Sequence, residues 1–288
     1  MVRPDQERAA THQVIPPPWD RRIDRANELA SAYPFAVEGL CFYAQVAAFQ
    51  RNLNSEIDWR WANSSEIPSE LSRREELDLA FFRPHFSRFL TMVSQIAPQP
   101  LSGISAELAR RSPVISEQLL QDFWCGDSSQ PADDSGRDVH SQFVLAWTFL
   151  QPYAEYLANR LPLPAADRTP PLCPLCGSKP IVGVLRPEGD GAKKSLICML
   201  CAHEWAFRRL LCPVCGEGRE PQLAFYSSPE IAHVRVDVCD TCHTYVKSVD
   251  LTKVGIAVPV VDELATIPLD LWAREHGYQK LQSNLLGI

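Results

Sequence analysis

Eight of the ten cysteines fall into four Cys-x-x-Cys pairs between residues 173 and 242, in "CPLCGSKP", "ICMLCAH", "CPVCGEGR" and "VCDTCHT". No other feature limits the fold as strongly. A Cys-x-x-Cys turn aims both sulfurs at one point, and two such turns presented by neighbouring hairpins complete a tetrahedral four-sulfur site. In a reducing compartment such an array reads as metal ligation, not as a disulfide framework. The internal spacings repeat: twenty-one residues separate Cys176 from Cys198, and twenty-three separate Cys215 from Cys239. The simplest assignment is therefore sequential, with Cys173, Cys176, Cys198 and Cys201 holding one ion and Cys212, Cys215, Cys239 and Cys242 the other. An interleaved cross-brace is the alternative, and it would break the duplication. Thioredoxin-like redox pairs fit less well, since these sit singly at a helix start. Four thiolates suit either zinc or a mononuclear iron. His203 and His243 lie just beyond each set and are expected at its edge, not as ligands. Ala202 and His243 stand where glycine follows the other two turns, which argues against the same turn at all four corners.

The remaining composition narrows the function. The hydrophobic fraction is 45% and the net charge −7, the balance of a globular chain without the basic surface of a nucleic-acid protein. Within Leu172–Lys253, ten Lys and Arg meet nine Asp and Glu, and thiolates on two metal ions would make that segment acidic. No apolar run is long enough to span a membrane. The charged start "MVRPDQERAATHQV" lacks a secretory h-region, so a cytoplasmic location is expected.

An α+β fold is expected. Residues 1–165 read as an all-α helical domain, with 1–18 expected to be flexible. Apolar side chains at Val37, Leu40, Cys41, Ala44, Ala47 and Ala48 follow the helical rhythm, which makes Cys41 a small core residue. Further helices are expected over 69–96, broken or kinked at Pro84, over 116–124, and over 138–161, disturbed at Pro152. His85 and His140 lie on these segments as packing or surface residues. No nucleophile elbow, phosphate loop or dinucleotide fingerprint accompanies them, so no catalytic residue is expected. "LPLPAADRTPPL" (161–172) reads as a proline-rich hinge. Two small β-rich, rubredoxin-like or zinc-ribbon modules are expected over 166–210 and 211–260. A C-terminal helix and tail over 261–288 follow, with Leu264, Ile267, Leu271 and Tyr278 on the helix's apolar face.

The succession "CPLCGSKP", "CMLCAHEWAFRRLLCPVCGE", "CDTCHTYVKSVD" and "DELATIPLDLWAREHGYQK" resembles the FdhE family, the formate dehydrogenase accessory proteins. Glu204-Trp205 after the second pair, Arg208 and Arg209 before the third, and Tyr245, Lys247 and Asp250 after the fourth carry the likeness beyond the cysteines. It covers residues 170 to 285 at motif level. The resemblance implies a cytoplasmic maturation factor without turnover of its own. Its partner would be the catalytic subunit of respiratory formate dehydrogenase, met before export, and rubredoxin-like iron would be favoured over zinc. A redox role is the alternative, with tetrathiolate iron passing electrons to the client enzyme. Trp205, Tyr245 and Lys247 are expected to contact the client. Packing of the modules is the competing reading of Trp205 and Tyr245.

Overall fold

A computed structural model describes residues 18–62, 71, 77–126, 137–162 and 169–287. Residues 1–17 of the segment expected to be flexible, most of the polar 126–137 loop and the centre of the proline-rich linker lie outside the described residues, and Pro18 already opens the first helix. Six helices come first: α1 (Pro18–Ala32), α2 (Val37–Trp61), α3 (Leu79–Ile96), α4 (Leu101–Arg110), α5 (Pro113–Cys125) and α6 (Arg137–Ala158). Phe82, Phe86, Phe89 and Leu90 of α3 pack against Phe149 and Leu150 of α6 in the bundle core. Pro84 and Pro152 both lie inside continuous helices instead of ending them. Each removes one backbone donor from a helix that tertiary packing stabilises, and that packing outweighs the local cost. The α2 stripe is broader than its spacing suggests. Leu40, Ala44 and Ala47 are buried, but so are Phe42 and Val46, whereas Val37 and Cys41 face solvent. Cys41 is therefore a surface residue: α2 is covered from two sides, by α1 and by α6, and the helix face carrying Cys41 is the one left over.

The cysteine-bearing half forms one mixed seven-stranded sheet to which both cysteine segments contribute. Its strands are β1 (Pro180–Glu188), β2 (Gly191–Cys198), β3 (Glu204–Ala206), β4 (Leu223–Ser227), β5 (Val234–Cys239), β6 (Thr244–Asp250) and β7 (Gln279–Lys280). Strands β1–β2–β3 and β4–β5–β6 are two antiparallel meanders of identical connectivity. They join through parallel pairing of β1 with β6, at Gly183 opposite Ser248, Val184 opposite Val249 and Leu185 opposite Asp250. The join requires glycine at 183, because a Cβ there would lie 2.2 Å from the Ser248 hydroxyl. The spatial order is β3-β2-β1-β6-β5-β4, with β7 beside the first residues of β6.

The expected single closing helix is two: α7 (Pro259–Ala265) and α8 (Ile267–Glu275), separated at Thr266. Pro268 lacks the donor that would bond the Leu264 carbonyl, and its ring would clash there, so the helix restarts. Leu264 is buried on α7, but the restart leaves Leu271 half exposed at 50%. The bundle and sheet are packed directly on one another. Arg25 of α1 makes a bidentate pair with Asp262 of α7 at 3.0 and 2.5 Å, inside the interface. Among the described residues no helix is long and apolar enough to cross a membrane.

Candidate metal centres

Each meander carries its cysteines at equivalent places. Cys173 and Cys176 precede β1, Cys198 ends β2, and Cys201 sits in the turn to β3. Cys212 and Cys215 precede β4, Cys239 ends β5, and Cys242 sits in the turn to β6. The local hydrogen bonds repeat as well. Gly177 N–H donates to the Cys173 carbonyl at 2.9 Å and Gly216 N–H to the Cys212 carbonyl at 3.1 Å. The Cys173 and Cys212 N–H groups donate to the Ser178 and Glu217 carbonyls. The residue after each pair's second cysteine has left-handed backbone: Gly177 at φ 71°, Ala202 at 53°, Gly216 at 73° and His243 at 53°. All four corners thus adopt one turn, and the expectation that Ala202 and His243 would break the pattern is corrected. The geometry of the sulfur site fixes the conformation even where no glycine eases it.

Sulfur spacing agrees with the sequential assignment. The four Sγ atoms of each set lie within 4.8 Å of one another. Within the sets Cys173 and Cys201 lie at 3.6 Å, Cys176 and Cys198 at 3.3 Å, Cys212 and Cys242 at 3.6 Å, and Cys215 and Cys239 at 3.7 Å. A disulfide would need about 2.05 Å. A tetrahedron with metal–sulfur bonds of about 2.3 Å has edges of about 3.8 Å, close to these values. Two four-cysteine clusters are therefore each positioned to coordinate one metal ion. Backbone amides point at the sulfurs, Leu200 N–H to Cys198 at 3.3 Å and Val214 N–H to Cys212 at 3.4 Å, and would stabilise thiolates. Ionisation is unevenly placed within each set: hydrogen bonds with Cys173, Cys198 and Cys201 hold the Cys176 thiol well below its usual range. Burial pushes the Cys198 thiol well up, and it pushes Cys212 up to about 12. A divalent cation reverses that balance by compensating the thiolate charge.

The two centres differ in access. Every ligand of the first is buried, whereas in the second Cys215 is exposed and Cys242 half-buried. The first is also sealed by the bundle: the Trp147 indole and the Gln151 amide of α6 both donate to the Met199 carbonyl at 2.8 Å, inside the Cys198–Cys201 turn. His203 stacks beside Trp205 and His243 lies near Tyr278, and neither belongs to a cluster.

Trp205, Tyr245 and Lys247, expected at the surface, are buried at 6%, 1% and 0% exposure. The Trp205 indole donates to the Pro170 carbonyl at 2.9 Å, holding the linker's end against β3. Tyr245 and Lys247 point from β6 under α7 and α8. The Tyr245 hydroxyl donates to Asp270 at 2.8 Å, and the Lys247 ammonium reaches Asp270 at 2.5 Å, Glu263 at 3.1 Å and the Thr266 hydroxyl at 3.1 Å. Lys280 of β7 completes the group with contacts to both carboxylates. Burial would raise the Asp270 pKa, but Lys247 and Lys280 outweigh it and hold the carboxyl below its usual range. These side chains stitch the sheet to the C-terminal helices. The spacing of Glu263 and Asp270, two turns apart beside Leu264 and Leu269, was the available sequence signal for a buried acidic pair.

Known proteins share this sequence pattern. Residues 172–209 match the family description "FdhE, central domain", and residues 211–286 match "FdhE, C-terminal domain". A "Protein FdhE homolog" of Aquifex aeolicus (strain VF5) is 34% identical over 272 residues, covering 92% of this chain and 94% of that one. Another of Serratia proteamaculans (strain 568) is 27% identical, covering 97% of this chain and 93% of the other. The crystal structure of the FdhE protein from Pseudomonas aeruginosa superposes with a TM-score of 0.65 over 94% of this chain and 96% of its own, at 23% identity. That likeness speaks to the fold.

Proposed function

The chain belongs to the FdhE family, and from that premise we propose that it is an accessory factor, without turnover, that binds the catalytic subunit of a formate dehydrogenase and is needed for that subunit's assembly or activity before export. The observation that carries this reading is the full-length likeness to FdhE homologs, joined to two four-cysteine centres built into one sheet. In this reading the ions are architectural. Each ties two turns of a small meander that has little core of its own, and binding energy for the metal becomes folding energy for the sheet. Iron is the favoured ion and zinc the second choice, each centre taking one. The setting is the cytoplasm, before the client leaves it. The test is co-purification with the formate dehydrogenase catalytic subunit, alongside formate dehydrogenase activity in cells lacking the factor. Capture of the immature subunit and loss of activity without the factor are expected. Full formate dehydrogenase activity in its absence would overturn the reading.

One observation favours a redox role beside this one: Cys215 is exposed, so electrons could enter or leave the second centre. Tetrathiolate iron supports such exchange and zinc does not. Anaerobically purified protein would then show thiolate-to-iron absorption that bleaches on reduction. Full function of a zinc-loaded, colourless protein would dismiss the redox role while leaving the accessory one intact.

A further inference from the structure

Three segments from different parts of the chain meet at one open cavity of about 560 Å³. The turn joining α1 to α2 brings Tyr33 and Phe35, β4 brings Tyr226, and α8 brings Trp272. β4 is the last strand of the sheet, so its outer edge is open. Buried Ile231 and Leu269 belong to the same wall. The rings come in two pairs. Tyr33 and Phe35 stack at 5.4 Å between centroids, and Tyr226 and Trp272 lie 4.6 Å apart. His276 stacks on Trp272 at 4.3 Å without lining the cavity, which holds the indole in place. Phe35 and Tyr226 remain 54% and 44% exposed.

Among the described residues no lysine, arginine, histidine or cysteine lines this cavity, and Glu230 supplies its one carboxylate. Glu230 sits in the turn from β4 to β5. The Ser228 hydroxyl donates to that carboxylate and holds it below its usual range, and no cation contributes to the effect. The second metal centre does not change the balance. Cys212 and Cys239 line a different cavity, beside Leu223 and Phe225, and the charge that a loaded four-thiolate centre adds is negative. The faces of aromatic rings also carry negative potential. Four rings and an unpaired carboxylate therefore attract a cation. An apolar occupant would strip water from Glu230 and return nothing for it.

We propose that this cavity receives an arginine side chain of a partner polypeptide, with the guanidinium among the rings of Tyr33, Phe35, Tyr226 and Trp272 and its charge toward Glu230. Arginine suits the site better than lysine, because its guanidinium is planar, weakly hydrated and stacks on aromatic faces. Its aliphatic stem can lie along the apolar wall while the charged head stays near the rim. The volume also leaves room for an apolar neighbour of that arginine. The partner is then the client subunit of the accessory reading, and only this identification rests on that reading.

The test titrates the full-length, metal-saturated protein with the peptide acetyl-Gly-Leu-Arg-Leu-Gly-amide, and with counterparts carrying citrulline or norleucine in place of arginine. Citrulline keeps the shape of arginine and removes its charge. Wild type is compared with Tyr226→Thr and with Glu230→Gln, an exposed change that leaves the fold untouched, with metal content and circular dichroism measured on each. The proposal expects the arginine peptide to bind wild type at least about fivefold more tightly than the citrulline one. Each substitution should weaken the arginine peptide severalfold at unchanged metal content. Absence of binding by wild type, equal binding of the three peptides, or undiminished binding by Glu230→Gln overturns the arginine site and leaves the accessory reading standing. Failure of wild type to capture the formate dehydrogenase catalytic subunit, with the arginine preference intact, overturns the accessory reading and supports the site. A wild-type dimer that Glu230→Gln splits assigns the cavity to a second copy and overturns the proposal.

Discussion

Ala202 and His243 hold left-handed backbone at φ 53° where the two leading turns use glycine. A residue with a Cβ gives up about 1–2 kcal/mol in that conformation. Ala202→Gly and His243→Gly should therefore each stabilise the protein by about 1 kcal/mol, after the added chain entropy of glycine is subtracted. Denaturant unfolding under anaerobic, metal-saturated conditions reads this directly, and an unchanged or lower midpoint would refute it. The cysteine ligand sets were legible from spacing alone, because ligation chemistry fixes residue type and separation. The turn conformation at 202 and 243 was not, because local preference at those residues points elsewhere and the sulfur geometry overrides it. Burial of Trp205, Tyr245 and Lys247 was equally hidden. A tryptophan, a tyrosine and a lysine near a metal turn look alike whether they meet solvent or protein, and only tertiary packing decides: the linker's end at Pro170 meets Trp205, and α7 and α8 cover Tyr245 and Lys247.

At the level of elements, β6 is bound to α7, α8 and β7 through Lys247, Lys280, Glu263 and Asp270, two charges of each sign with almost no exposure. Removing one member leaves a buried charge without its partner. Lys247→Ala should cost about 3–5 kcal/mol, whereas a well-packed apolar replacement of the whole group could be neutral. Acid should weaken the same joint. Asp270 and Asp262 both have carboxyls held below the usual range: burial opposes this, but Lys247 and Lys280 outweigh it for Asp270, and hydrogen bonds from His233 and Arg25 do so for Asp262. Their contribution is complete above the ordinary aspartate value of about 3.9 and is lost as pH falls through the lower folded values. Stability measured from about pH 6 downward should decline steeply below about pH 4, and Asp270→Asn should flatten that decline. A wild-type profile flat to about pH 3 would contradict the assignment. Periodicity located most of the long helices and the strand-rich runs, but not the break at Thr266 or the parallel pairing of β1 with β6. That pairing joins residues far apart in the chain and leaves no local pattern in either strand.

Across the whole molecule, bundle and sheet act as one body. Arg25 grips Asp262, and α6 closes over the first metal turn through Trp147 and Gln151. The proline-rich segment therefore connects two surfaces already in contact, and its composition could not reveal that, since contact depends on residues on α1, α6 and α7. The asymmetry of the centres follows from the same packing: the bundle covers the first and leaves the second at the surface, beside the open edge of the sheet. Everything here depends on two independent four-sulfur centres. The most direct test is metal and X-ray absorption analysis of anaerobically purified wild type and of Cys215→Ser, which alters the exposed centre. Two ions per chain, each with four sulfurs at about 2.3 Å, are expected for wild type, with one fully sulfur-ligated ion retained by the variant. A wild type holding a single ion, or ions bound through nitrogen or oxygen, would contradict the account.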